Sequence, residues 1–389
     1  MRGMPLPYWR LSAFYLCFFA VLGGLAPYWG PYLKAQGFSS LEIGLLIAIL
    51  HGTKIIAPNI WGWIADRSGH RMWVVRLGAF VALLSFAGVL LGSQFWWLAL
   101  VMTVFSFFWN AALPQFEANT MNHLGSAAHT YGRIRLWGSV GFIIAVLAFG
   151  ELIDRHGVEI LPWLILLAFL GLYAAAQVSP EAPQRHHSRA AEPILRVLFR
   201  PEVSGFLLAC FLLQASHGPY YAFFSIYLEG HGYRSSMIGL LWAVGVVAEI
   251  GLFLLMHRLL PRFGPRLLFL LAVVLTVLRW ILIGAMPANL SVLLFAQCLH
   301  AASFGVYHAV GIHLVNRFFV GRNQGRGQAL YSSITFGAGV AVGSLGAGLL
   351  WDRVGGSMTF YLAALTAVLS LLCAHWALRR EETSATASV

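Results

Sequence analysis

Long apolar runs separated by short polar turns dominate the chain. Twelve of them hold about 18 or more mostly apolar residues, enough for an α-helix to cross the ~30 Å of hydrocarbon in a bilayer. They lie at about 9–33, 40–64, 72–92, 95–122, 134–153, 160–178, 202–228, 236–257, 265–286, 289–314, 326–350 and 357–378. The pattern predicts an all-α integral membrane protein with twelve transmembrane helices.

The charged residues of the turns predict the orientation. With the N-terminus in the cytoplasm, the Lys and Arg residues of the turns fall on the cytoplasmic side, except for Lys34, Arg155, Arg234 and Arg353. This bias predicts that both termini are cytoplasmic, and an odd number of helices would remove it. The run at 9–33 is longer than a signal-peptide core and has no clear cleavage site, so we expect it to be retained as the first helix.

The second half of the chain repeats the first at a shift of 195 residues. The shift places Tyr32, Leu33, Gly37, Ser40, Gly44, Arg67, Gly69 and Arg71 on Tyr227, Leu228, Gly232, Ser235, Gly239, Arg262, Gly264 and Arg266. Residues 179–200 are rich in charge and proline and include His186 and His187, which we expect to be solvated. We predict two pseudosymmetric six-helix bundles, 1–178 and 201–389, joined by this cytoplasmic linker. Parallel repeats of this kind are a transporter architecture, with the solute site at the midplane between the halves.

Composition excludes several classes of protein. The chain is 59% hydrophobic and 10% charged, whereas soluble domains average about 25% charged residues. Its net charge of +11 is spread over short turns and forms no stripe, which argues against nucleic acid binding. The four cysteines, Cys17, Cys210, Cys298 and Cys373, lie in apolar runs without metal-site spacing. We expect neither a metal nor a cofactor.

The turn after the second run contains Gly62-Trp-Ile-Ala-Asp66-Arg67-Ser-Gly69-His-Arg71. Gly62 permits close helix packing, and Asp66 can accept hydrogen bonds at a neighbouring helix N-terminus. Arg67 and Arg71 are expected to hold the turn at the lipid headgroups. The sequence predicts a conformational gate at this turn.

The pattern GxxxDRxG recurs at 150–157 and 348–355, whereas the second-half equivalent of the gate has Pro261 in place of the aspartate. The gate resembles the signature turn of the major facilitator superfamily. Two further segments, Gly132-Arg-Ile-Arg135-Leu-Trp137-Gly138 and Leu213-Gln214-Ala-Ser-His217-Gly-Pro-Tyr220-Tyr221, resemble the phenylpropionate-permease branch, a relative of sugar and nucleoside proton symporters. The resemblance implies a monomeric secondary transporter, proton-coupled, in the bacterial inner membrane.

Charged residues at bilayer depth each cost about 3 kcal/mol or more, so they are retained where they meet a partner or a water-filled cavity. Lys54 and Glu249 are equivalent under the repeat, and we predict that both line the central cavity and pair in one state. The alternative for Lys54 is that its side chain extends to the membrane interface. The other cavity residues that we predict are His51, Asn110, Glu117, Arg135, Phe142, His217, Tyr221 and Trp242.

Glu117 and Arg135 lie on neighbouring antiparallel helices and can meet at similar depth. They resemble the Glu and Arg that hold sugar in permeases of the lactose-permease type, and Phe142 takes the place of the stacking Trp there. An ion pair with a purely structural role is the competing interpretation. Tyr221 and Trp242 can line a pocket for a planar solute.

Proton coupling is predicted from Glu249, Arg279, His300 and His308. Arg279 and His300 flank a short turn and resemble the coupling site of those permeases, although the carboxylate one turn further on is Ser303 here. We therefore assign the coupling acid to Glu249, which would pair with Arg279 or be released as the conformation changes. On a regular helix His300 and Tyr307 share a face, and His308 is displaced from that face by about 80°. For His308 and His217 the alternative to a functional role is a structural one.

Three functions compete. The first is proton symport of an aromatic monocarboxylate, and the second is sugar or nucleoside symport on the same scaffold. The third is a membrane-embedded enzyme or a receptor that does not transport. No HExxH, GxSxG or Walker loop is present, which disfavours an enzyme.

Overall fold

The computed structural model describes residues 6–183, 193–321 and 323–387. Its helices are α1 (Tyr8–Ala35), α2 (Ser40–Ser68), α3 (Arg71–Phe86), α4 (Phe95–Leu124), α5 (Tyr131–His156), α6 (Leu161–Val178), α7 (Ile194–Leu198), α8 (Pro201–Ser216), α9 (Gly218–Glu229), α10 (Ser235–Ala285), α11 (Leu290–Cys298), α12 (Tyr307–Phe318), α13 (Asn323–Ser332) and α14 (Val340–Ala387). Two π-helical segments, Ala301–Val306 and Ser333–Gly339, lie between them. His186 and His187 lie outside the described residues.

In the described part of the chain, nine helical segments are long and apolar enough to cross a membrane. Two of them, α10 and the α13–α14 segment, each cover two predicted crossings and contain a break, at Gly264 (φ 73°) and Gly355 (φ 81°). Another predicted crossing, 202–228, is divided between α8 and α9, which are each shorter. An all-helical membrane protein is confirmed, while twelve crossings and cytoplasmic termini stay predictions.

Left-handed glycines end equivalent helices in the two halves of the sequence. Gly37 (φ 86°) corresponds to Gly232 (φ 85°) under the 195-residue shift, and Gly69 (φ 74°) corresponds to Gly264 (φ 73°). An L-residue with a side chain rarely adopts this conformation, which is why glycine commonly ends helices. The repeat seen in the sequence is therefore also a repeat of helix ends.

The described residues fall into two compact units. The first contains those of Met1–Ser39, Thr53–His186 and Tyr233–Ala243, and the second those of Ser40–Gly52, His187–Gly232 and Val244–Val389. In the first unit α1 packs on α5 and α6, and α3 on α4; in the second, α14 packs on α8 and α9. The predicted division at 179–200 stays a prediction.

Close backbone approach at glycine is a feature of the helix packing in the second unit. A β-carbon on Gly343 of α14 would overlap the carbonyl of Ala215 in α8, whereas one on Gly346 would meet nothing within 4 Å. Small residues at such contacts let helices pack in lipid, where van der Waals contact replaces the hydrophobic effect.

We expect Gly343→Ala to destabilise the protein by about 3 kcal/mol, because overpacking forces the backbone of α8 and α14 apart. Gly346→Ala, on the same helix, is the matched control and should be neutral. Thermal unfolding in detergent measures both, and equal melting temperatures for the two variants would contradict the packing described here.

Candidate solute-binding and coupling site

The second unit contains a buried polar group of side chains, here called the arginine cluster. It consists of Arg279 from α10, Gln297 from α11, His300 and Ser303 from the segment that follows α11, and Glu249 from the first part of α10. The turn between α10 and α11 is fixed by Asn289, whose side chain accepts a hydrogen bond from the amide of Val292 at 3.2 Å. This turn makes the two helices antiparallel neighbours and brings the cluster together.

Arg279 is the centre of the cluster and is 0% exposed. Its guanidinium donates from Nη1 to His300 Nδ1 at 3.1 Å and to Ser303 Oγ at 3.0 Å, and from Nη2 to Gln297 Oε1 at 3.1 Å. Its Nε is buried and has no hydrogen-bond partner among the described residues. None of the groups that receive these hydrogen bonds is an acid, so no carboxylate directly neutralises this buried charge within the described residues.

His300 connects Arg279 to an acid. Because a guanidinium can only donate, the Nδ1 atom of His300 must accept, and the neutral ring then carries its proton on Nε2. That nitrogen lies 3.5 Å from Glu249 Oε2. A proton added to Nδ1 would break the hydrogen bond to Arg279, so the charge states of the imidazole and of Glu249 are linked to the position of the guanidinium.

The backbone after His300 departs from a regular α-helix and changes which later residues share its face. The segment Ala301–Val306 is π-helical, and an inserted residue of this kind rotates the side chains that follow it. The expectation that His300 and Tyr307 share a face is therefore wrong. Instead the rings of His300 and Phe304 stack at 5.4 Å, and those of Phe304 and His308 at 5.8 Å.

His308 is thus separated from His300 by the ring of Phe304. A benzene ring has no exchangeable proton, so this stack provides no direct proton path to His308. The role of His308 in coupling stays a prediction that these contacts do not support.

Aromatic rings enclose the guanidinium. The Cζ atom of Arg279 lies 4.2 Å from the centre of the Tyr220 ring and 4.7 Å from that of the Trp280 ring. Tyr220 also donates to Gln297 Oε1 at 3.0 Å. His217 packs on Trp280 at 4.9 Å, and Tyr221 lies between His217 (6.2 Å) and His51 (5.8 Å). Three further predicted site residues, His51, Tyr221 and His217, therefore form a row of ring contacts that ends at Trp280, which lies against Arg279.

The first unit contains a second group, here called the glutamate cluster: Glu117, Tyr131, Arg135, Tyr15 and Phe19. Tyr131 donates to Glu117 Oε1 at 3.1 Å. Arg135 lies instead over the ring of Phe19, with its Cζ atom 3.9 Å from the ring centre. The same Cζ atom is 5.8 Å from the centre of the Tyr15 ring. Glu117 and Arg135 share this cluster, but within the described residues they form no direct ion pair.

Lys54 lies in the middle of α2 and takes part in no hydrogen bond or ion pair with the residues that the structure describes. Next to it, Thr53 accepts from Asn110 at 2.8 Å and donates to Ser106 at 2.9 Å. Lys54 belongs to the first unit and Glu249 to the second, so their predicted approach stays a prediction.

Two other predicted cavity residues, Phe142 and Trp242, lie near each other within the first unit, with ring centres 6.4 Å apart.

The predicted gate differs from expectation. Asp66 forms an ion pair with Arg71, and Arg71 also donates to Gln115 at 2.6 Å, so protein side chains hold Arg71. The helix N-terminus at α3 is capped by Glu181, which accepts from the amides of Arg71 (3.0 Å) and Met72 (2.9 Å). This is the role expected of Asp66; Glu181 lies in the predicted linker and was not among the predicted site residues.

The remaining gate residues have smaller roles. Arg67 lies over the ring of Trp63, at 5.6 Å from its centre. Gly69 makes the left-handed turn into α3. A β-carbon on Gly62 would meet Gln115 only at 3.5 Å, an ordinary contact, so the close packing expected of Gly62 is not required here.

The aspartates of the two GxxxDRxG copies each accept hydrogen bonds at the start of a helix. Asp154 accepts from the amides of Ser235 (2.8 Å) and Ser236 (3.0 Å) at the start of α10, within the first unit. Asp352 accepts from the hydroxyl of Ser40 at 2.7 Å at the start of α2, within the second unit. A carboxylate at a helix N-terminus is stabilising, so both copies tie the first turn of a long helix to its neighbour.

Long apolar helices that bury a few ionisable groups are the architecture of a secondary transporter. The sequence model of the MFS_1 like family matches residues 8–362, and this chain belongs to that family. The resemblance to the major facilitator superfamily is confirmed. The protein is a multi-pass membrane transporter of a small solute and not an enzyme.

Two relatives and one fold neighbour are informative. The chain is 30% identical to the "Probable 3-phenylpropionic acid transporter" of Escherichia coli (strain K12), over 92% of this chain and 94% of that protein. It is 28% identical to the maltose permease of Geobacillus stearothermophilus, over 92% of each. The crystal structure of the nucleoside transporter NupG matches with a TM-score of 0.79 at 17% identity, over 96% of this chain and 99% of that one.

Proposed function

We propose that the protein is a proton-coupled symporter of a small aromatic monocarboxylate, which works by alternating access in the bacterial cytoplasmic membrane. Twelve crossings, cytoplasmic termini and a monomeric state belong to the same proposal. It is supported by the relative whose name specifies 3-phenylpropionic acid, a molecule with one aromatic ring and one carboxylate.

The observation that carries the proposal is the electrostatics of Arg279. The guanidinium is 0% exposed, its hydrogen bonds go to groups that are not acids, and its Nε is without a partner in the described part of the chain. A solute carboxylate would supply the missing negative charge, since carboxylates match the planar fork of donors on arginine. Tyr220 and Trp280, which flank the guanidinium, would contact the aromatic part of the solute.

The chain of contacts that joins Arg279, His300 and Glu249 supports proton coupling. When a solute carboxylate engages Arg279, the guanidinium shares its charge with the solute and attracts Glu249 less. Glu249 then takes up a proton more readily, and the loaded site becomes close to neutral. A neutral site crosses between conformations at lower cost than a charged one, which couples the solute to the proton.

The test is uptake by purified protein in proteoliposomes. We expect 3-phenylpropionate to accumulate under an imposed inward proton gradient and not in liposomes without protein. Collapse of the gradient by a protonophore should abolish accumulation. If 3-phenylpropionate neither accumulates nor competes with any other transported solute, the proposal is wrong.

Sugar or nucleoside symport is the second candidate. The maltose permease relative and the polar groups of the first unit, Glu117 with Tyr131 and Asn110 with Thr53, favour a solute with several hydroxyl groups. Competition separates the candidates: excess maltose or uridine should leave uptake of 3-phenylpropionate unchanged if the site is built for an aromatic acid.

A further inference from the structure

His217 is a buried residue at an interruption between two helices. It lies between the end of α8 at Ser216 and the start of α9 at Gly218, and it is 0% exposed. Interrupted helices in transporters place polar groups at the solute site. The ring of His217 and the guanidinium of Arg279 both lie within 5 Å of the centre of the Trp280 ring, at 4.9 and 4.7 Å. His217 is therefore next to the proposed carboxylate site.

The hydrogen bonding of His217 defines its tautomer. Its Nδ1 lies 2.8 Å from the carbonyl oxygen of Leu213, and because a carbonyl only accepts, Nδ1 must carry a proton. A second proton on Nε2 would add a positive charge to a fully buried ring near Arg279, which no described acid directly balances. The neutral ring is favoured, with a lone pair on Nε2.

That lone pair has no partner. Nε2 of His217 is buried and accepts no hydrogen bond from the residues that the structure describes. A buried acceptor left unsatisfied costs about 1–3 kcal/mol, so such atoms in native proteins call for an explanation. Around the ring lie Tyr221 and Trp280, which are suited to contact an aromatic solute.

We propose that His217 is a specificity-determining residue whose Nε2 accepts a hydrogen bond from a hydroxyl group on the aromatic ring of the solute. This inference rests on the proposed function and narrows it to hydroxylated aromatic acids. Arg279 holds the carboxylate, while His217, which also contacts Trp280, recognises the ring substituent. A ring without a donor leaves Nε2 unsatisfied and binds more weakly.

The experiment measures KM for uptake of 3-phenylpropionate, its three ring-hydroxylated isomers and the corresponding methoxy compounds in proteoliposomes. We expect one hydroxylated isomer to have a KM about tenfold below that of 3-phenylpropionate, the effect of one hydrogen bond. Its methoxy analogue, which keeps the oxygen and loses the donor, should show no such gain.

Three variants assign the preference to His217. His217→Phe keeps the aromatic contacts and removes the acceptor, and the Leu213 carbonyl retains a bond from Ser216 at 2.6 Å. We expect it to abolish the preference, so that the KM of the preferred hydroxylated isomer rises to about that of 3-phenylpropionate. His217→Gln keeps an acceptor and should retain part of the preference. His313→Phe, at an exposed position of α12, is the control and should behave as wild type.

The inference is overturned if wild-type protein shows no preference for any hydroxylated isomer. It is also overturned if His217→Phe weakens all the acids equally, which would indicate a structural role at the helix interruption. In both cases transport of aromatic acids is still observed, so the proposed function stands. If no aromatic acid is transported at all, the proposed function fails and this inference fails with it.

Discussion

Arg279→Gln is expected to weaken binding of 3-phenylpropionate by at least about 30-fold, which corresponds to about 2 kcal/mol. Arg279 is the buried cation whose hydrogen bonds go to groups that are not acids, so a solute carboxylate would engage it without displacing an existing ion pair. Glutamine keeps hydrogen bonds to the neighbouring polar side chains and removes the charge. The loss should appear as a higher dissociation constant in a thermal-shift titration, together with loss of uptake.

Two further variants make this result interpretable. Arg279→Lys restores the charge without the planar fork, and we expect it to recover part of the affinity. Arg155→Gln removes an exposed arginine that pairs with Glu151, and it should leave binding unchanged. If Arg279→Gln binds 3-phenylpropionate as tightly as wild type while Lys54→Gln does not, then Lys54 and not Arg279 is the anion site.

The fold was predictable because lipid leaves the backbone few options. A chain that crosses hydrocarbon must satisfy its own amide and carbonyl groups, so long apolar runs become helices. The breaks were less predictable. Gly264 was expected at a turn between two helices, and the structure shows continuous helical segments on both sides of this one left-handed residue. Gly355 is an equivalent left-handed break within α14.

The arginine cluster was predictable in part. A short turn after Ala285 makes Arg279 and His300 neighbours, and they form a hydrogen bond of 3.1 Å. Gln297 was missed, although it precedes His300 by three residues and so lies on the same face of a helix. The π-helical segment from Ala301 was not predictable, because no local residue pattern specifies where such an insertion occurs.

The glutamate cluster shows what sequence spacing leaves open. Glu117 and Arg135 were expected to meet because their helices are antiparallel neighbours. Proximity does not decide the partner: Tyr131 donates to Glu117, and Arg135 lies over Phe19. Glu181 was missed for a related reason. A glutamate in a proline-rich stretch looks solvated, and only the tertiary fold brings it to the N-terminus of α3.

The aspartates at helix starts and the arginine cluster lie at different points along the long helices. Asp154 caps the start of α10, and Asp352 accepts from the Ser40 hydroxyl at the start of α2. In both helices the first turns and the remaining turns belong to different units. The arginine cluster lies further along α10, where Glu249 and Arg279 are held on either side of the break at Gly264. Glu249 therefore lies on a helix whose residues are divided between the two units.

Glu249→Gln is expected to abolish proton-driven accumulation of 3-phenylpropionate while preserving its exchange across the membrane. Glutamine is nearly isosteric and can still accept a hydrogen bond from Nε2 of His300, which lies 3.5 Å from the native carboxylate. It cannot gain or lose a proton, so it resembles the protonated acid permanently. The loaded carrier should reorient, but no proton would move with the solute.

The measurement compares two assays on the same proteoliposomes. Counterflow, in which labelled solute exchanges for unlabelled solute, should run at a rate within about threefold of wild type, and uptake driven by a pH gradient should fall to the level without a gradient. Glu151→Gln, at an exposed acid, should leave both assays unchanged. If Glu249→Gln still accumulates solute against its gradient, Glu249 is not the coupling acid. Glu117, the acid of the glutamate cluster that accepts from Tyr131, is then the next candidate.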